Sequence, residues 1–199
     1  MDAYDPDDLL PPPDNFLPPG SAQTHDLDVG GTVSTFRAIG LLEGLTEEEI
    51  AASLDRARRL EYAQGPGDLY RCFPRRVVYF DWEGAEMDGA YADLLRQFER
   101  AGRGHFALTD VEDSFPAYGR GGPYPGAFTL DGQRYAFSSA GNGDWLDGAF
   151  LTALNRALRA QQVGRFHVVV DHGQAAGYAF LTEAELTAVR ERLPDMLPR

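Results

Sequence analysis

Asp131-Gly132 lies between two short β-prone runs, residues 128–130 and 135–137. A two-residue Asp-Gly connection takes left-handed backbone at both positions and matches the twist of paired strands, so it commits its flanks to an antiparallel hairpin. A second pair of runs, 166–170 and 178–181, flanks the turn-forming His172-Gly173. Adjacent hairpins argue for a mostly antiparallel sheet, and with no long strand–helix–strand alternation a doubly wound nucleotide fold is not expected.

The remaining elements are built around these hairpins. Residues 76–82 are rich in branched and aromatic side chains and predict a strand, with a shorter one at 105–110. Tyr91, Leu94, Leu95 and Phe98 follow the spacing of an amphipathic helix. Thr46 with Glu49 and Thr182 with Glu185 have capping-box spacing, opening helices that reach about residue 63 and stop before Pro194. Gly65-Pro66-Gly67 reads as the stop of the first. Asp144 is placed to cap a helix whose apolar face is Phe150, Leu151, Leu154 and Leu158. The order α-β-α-β-β-β-α-β-β-α predicts an α+β fold. Its sheet is expected to be mostly antiparallel, of about five to six strands, with helices packed mainly on one face. Three regions are expected: an acidic, proline-rich arm at 1–28, an accessory helical region at 29–68, and the α+β domain at 69–199.

Charge narrows the function. The 199 residues carry 31 acidic and 18 basic side chains, a formal net charge of -13, and every basic residue is arginine. With no lysine, a Schiff-base or lysine general-base mechanism is excluded. Asp2, Asp5, Asp7, Asp8, Asp14, Asp26 and Asp28 all precede the first arginine, Arg37, so the arm is strongly acidic and the body mildly so. Such a field repels phosphate backbones, which argues against nucleic-acid binding and points to a basic protein as partner. No stretch approaches the roughly 18 apolar residues of a membrane span, so no membrane association is expected. The N-terminus lacks a basic-then-apolar export pattern, and the expected location is cytoplasmic. One cysteine, Cys72, rules out an internal disulfide and any multi-cysteine cluster.

Two polar clusters could carry chemistry. Asp110, Glu112 and Asp113 leave a predicted strand together, the arrangement that metal-dependent hydrolysis uses to converge carboxylates on Mg²⁺ or Mn²⁺. In a regular strand His167 and Asp171 share one face, and Asp171 with His172 could form a general base or metal pair where the strand turns. The alternative site is therefore Asp110, Glu112, Asp171 and His172. Loop and turn chemistry also accounts for both clusters. Asp144 and Asp147 are assigned to helix capping, Trp145 to packing, and Cys72 to a small buried hydrophobe. The glycine-rich stretch 119–126 lacks a phosphate-loop ending, and with Tyr118, Arg120 and Tyr124 it reads as a contact surface. No complete catalytic motif is present, and no motif requires a cofactor. Binding through Asp110, Glu112, Asp113, Tyr118 and Tyr124 is the favoured reading.

The segments 77–83 (VVYFDWE), 143–147 (GDWLD), Leu154-Asn155, Gly173-Gln174 and 181–183 (LTE) resemble small uncharacterised bacterial proteins, some of them immunity-like partners of polymorphic toxins. The likeness covers a little over half the chain, and its motifs are turns, caps and core aromatics. It implies a small α+β protein that works by binding, and it transfers no catalytic residue.

Overall fold

The computed structural model describes residues 27–197. The arm expected at 1–28 falls almost wholly outside the described residues. Asp28, at its end, caps the first helix by accepting from the Gly31 amide at 2.9 Å. Three helices come first: α1, Val29–Ala38; α2, Glu47–Arg59; and α3, Pro66–Arg71. They are followed by β1 (Val77–Asp81), α4 (Ala90–Ala101), β2 (Leu108–Asp113), β3 (Tyr124–Leu130) and β4 (Gln133–Ser139). The chain ends with α5 (Ala149–Ala160), β5 (Arg165–Asp171), β6 (Ala175–Leu181), α6 (Glu183–Arg192) and a short 3-10 turn, Pro194–Met196.

The fold is α+β, and its strands form two antiparallel three-stranded sheets, ordered β1-β6-β5 and β2-β3-β4, where one sheet of five to six strands was expected. The Asp131-Gly132 hairpin joins β3 to β4, with both turn residues at positive φ, 49° and 73°. What the hairpin signal does not specify is where the third strand goes. Here β1 pairs with β6, nearly a hundred residues away, and β2 pairs with β3.

Helices lie on both faces of the β1-β6-β5 sheet, which corrects the expectation of one covered face. The cause is visible in β6, whose alternate residues enter two separate cores. Ala176, Tyr178 and Phe180 join a core with α4, α5 and the second sheet. Ala179 and Leu181 join another with α1, α2, α3 and α6. A strand buried on both faces reads as a continuous apolar run, as residues 175–181 do.

Both predicted capping boxes form, at Thr46/Glu49 and Thr182/Glu185. Other helix boundaries differ. Gly65-Pro66-Gly67 opens α3 where a stop was expected, because Pro at the first helical position has no amide to leave unpaired. Asp144 caps nothing: α5 starts at Ala149 behind Gly148, and Asp147 accepts from the Ala149 amide at 2.9 Å.

Candidate binding face and an Asp–His–Tyr cluster

The predicted site residues separate. β2 carries a bulge between Thr109 and Glu112, with Asp110 at φ 48°, so the regular alternation that would pair Asp110 with Glu112 is broken. Glu112 is held bidentately by Arg134 on β4, at 2.6 and 3.1 Å, and that guanidinium keeps its carboxyl below the usual range. Asp113 faces inward. It accepts from the amides of Tyr91 and Ala92 at 2.9 and 3.1 Å, capping α4, whose own N-cap, Gly89, has no side chain to offer. Tyr124 donates its hydroxyl to the Arg120 carbonyl at 2.6 Å and sets its ring edge-on to Phe115. Tyr118 is exposed, at 55%.

A bulge between Val168 and Val170 disturbs β5 in the same way. His167 lies opposite Ala179 and Asp171 opposite Ala176, which puts the two on opposite faces instead of the expected single one. His167 is a neutral acceptor for Arg165 Nε at 3.2 Å, and burial followed by that arginine's charge lowers its pKa to about 4. Asp171 folds back onto the Gly173 amide at 3.0 Å and makes the turn.

His172 has partners that the sequence did not suggest. Its Nδ1 is 3.0 Å from the Tyr79 hydroxyl, and its Nε2 is 3.4 Å from Oδ1 of Asp68. Asp68 is 3% exposed, and its other oxygen accepts the Gln64 amide at 2.8 Å. Arg71 lies 3.6 Å from the same Oδ1 and stacks over the Tyr79 ring at 4.6 Å. A cleft of ≈ 160 Å³ between α3, β5 and the C-terminal turn has Asp68 and Asp171 in its wall. The cluster orients an imidazole and ties α3 to β1 and the β5–β6 turn. Sequence reasoning misses Asp68 because Gly65-Pro66-Gly67 reads as a stop; the signal that could have found it is an acidic residue in the first turn behind a helix-opening proline.

Asp110 and Glu112 lie on β2, whereas Asp171 and His172 lie at the end of β5 in the other sheet. Among the described residues no three His, Cys, Asp or Glu side chains converge so as to hold a metal ion. Cys72 sits with its Sγ 3.6 Å from the Asp68 carbonyl, and burial pushes its thiol up to about 11, so it stays protonated at neutral pH.

The exposed large hydrophobics among the described residues are Met87, Tyr118 and Trp145, at 55, 55 and 39%. Trp145 is thus not the packing anchor expected. All three leave loops that are stitched together through backbone. Ala85 N donates to the Asp144 carbonyl, Tyr118 N to Ala85, Gly143 N to Gly119 and Leu146 N to Trp82, at 2.7–2.9 Å. Asp88 accepts the Ala117 amide at 2.7 Å, and Asp147 the Ala140 amide at 2.7 Å. From below, the fully buried Tyr91 bonds Ser139 on β4 and accepts the Asp147 amide, at 2.7 and 3.0 Å. The signal that could have found Trp145 is an aromatic amid turn formers, in Gly143-Asp144-Trp145, but the expected cap at Asp144 assigns it to a helix that starts only at Ala149. No helix among the described residues is long and apolar enough to cross a membrane. No family model matches the chain, and no curated protein or solved structure matches it.

Proposed function

We propose that the protein acts by binding a basic protein, in the manner of an immunity- or antitoxin-like inhibitor. Tyr118 carries this reading. It is a large aromatic, more than half exposed, held at φ 52° on a turn whose backbone is pinned to the neighbouring loop. Left-handed backbone costs a non-glycine residue about 1 kcal/mol or more, and such strain clusters where a side chain is presented for use. Tyrosine is also a residue type that dominates binding energy once it is desolvated against a partner. The surplus of 31 acidic over 18 basic residues supports the partner's sign, since a net field speeds encounter with an opposite charge. Of the predicted binding residues, Asp110 contributes exposed charge to the approach and Tyr118 the apolar contact, while Glu112, Asp113 and Tyr124, engaged by Arg134, α4 and the Arg120 carbonyl, back the surface behind them.

The test is the kinetics of association with a basic protein captured from the native cell lysate. Expected are an association rate that falls steeply as salt rises, and a slower association with little change in dissociation for Asp110→Arg. An association rate indifferent to salt would exclude charge steering and with it this reading.

A further inference from the structure

The exposed apolar side chains do not sit on the β2 edge where the acidic run lies. Met87, Tyr118 and Trp145 emerge from the three stitched loops at 82–89, 115–123 and 141–148. Those loops, with Asp81 at the end of β1, carry Glu83, Glu86, Asp88, Asp144 and Asp147, against Arg120 as their only basic residue. Several of the carboxylates are fixed in place by backbone amides. Asp81 accepts from Glu83, Asp88 from Ala117, and Asp147 from both Ala140 and Ala149. Aromatic faces set among fixed carboxylates are the surroundings that favour a guanidinium or ammonium: the ring attracts the cation over its face, and the carboxylates neutralise it.

We propose that this three-loop face, centred on Met87, Tyr118 and Trp145, is the docking surface, and that its occupant is an arginine- or lysine-rich surface segment of a protein partner. The inference rests on the binding reading above and deepens it by moving the centre of contact away from the β2 edge. Rigidity favours the assignment. Loops already held by backbone bonds and by the buried Tyr91 hydroxyl lose little freedom on binding, so their contacts are expressed as affinity. On the β2 edge Glu112 is already engaged by Arg134, and Asp113 is engaged by α4.

The probe is a twelve-residue peptide of alternating arginine and serine, compared with its neutral counterpart in which citrulline replaces arginine. The readout is the indole N–H resonances of the full-length protein, titrated at low salt. Its two tryptophans report separately, because Trp82 is packed edge-on against Phe80 and Tyr178 whereas Trp145 is exposed. The expected result is saturable binding of the arginine peptide that shifts the exposed Trp145 more than the packed Trp82, with no binding of the citrulline peptide. Tyr118→Ala and Trp145→Ala should each weaken binding by about tenfold, as loss of a central anchor does, and Glu86→Lys should weaken it as well. Asp110→Asn and Glu112→Gln remove approach charge but no contact, so they should slow association by less than about threefold and leave dissociation unchanged. The substituted side chains are exposed, and an unchanged melting temperature shows that a loss is not unfolding. If the β2-edge variants abolish binding while the loop variants do not, the face is wrong and the basic-partner reading stands. If no cationic peptide binds saturably, both fall.

Discussion

Gly67 shows how tightly one position can be prescribed. A Cβ built there would lie 1.7 Å from the carbonyl oxygen of Val169, so α3 reaches β5 only because the residue has no side chain. Gly67→Ala must push helix and strand apart and is expected to cost about 3 kcal/mol, read as a lower denaturant midpoint at unchanged slope. His167 makes a second prediction. Its folded pKa of about 4 lies below the unfolded value of about 6.5, so between these the unfolded chain takes up a proton that the folded chain refuses. Stability contributed by the neutral imidazole is therefore intact above about pH 6.5 and lost as pH falls towards 4. Solvent screening of this half-buried group reduces the loss to about 1–2 kcal/mol. Denaturation at neutral pH and near pH 4.5 should show that decline, and His167→Gln should flatten it. Neither residue is legible in the sequence. Gly67 reads as punctuation, and His167 depends on a bulge that alternation cannot reveal.

Elements were legible wherever the signal is local. Both capping boxes and the Asp131-Gly132 hairpin are satisfied within a few residues of chain, and each appears where its spacing places it. α4 is different, since its first turn is capped by Asp113 from β2, about twenty residues downstream. No spacing rule reaches that far, and so Asp113 reads from sequence as a surface charge. Asp113→Ala is expected to destabilise the fold by about 1–2 kcal/mol, whereas Asp110→Ala stays within about 0.5 kcal/mol. Thermal unfolding of the two variants side by side separates a structural carboxylate from a surface one. The same comparison explains the candidate site. The acidic run was visible, but its partners Arg134 and α4 come from other elements, and Met87 and Trp145 gain meaning only once three loops are stitched together.

At the scale of the whole molecule, β6 decides behaviour. It is the central strand of its sheet and supplies side chains to both hydrophobic cores. Two cores that share a strand should melt together. Fluorescence of Trp82, packed on one core, and hydrogen exchange of α2 amides, beside the other, should give coincident denaturation midpoints. Separated midpoints would show that the shared strand does not couple them. The same strand bears on how the protein is made. A ribosome adding about 5–20 residues per second needs about 5–20 s to pass from β1 to its partner β6. During that interval β1 has no partner and the core of α1, α2 and α3 lacks its strands, whereas α4 and α5 already have the β2-β3-β4 sheet to close against. Birth of this protein is thus an exposure that ends only when β6 arrives, and until then the growing chain is open to misassociation through its unpaired strand and uncovered apolar faces.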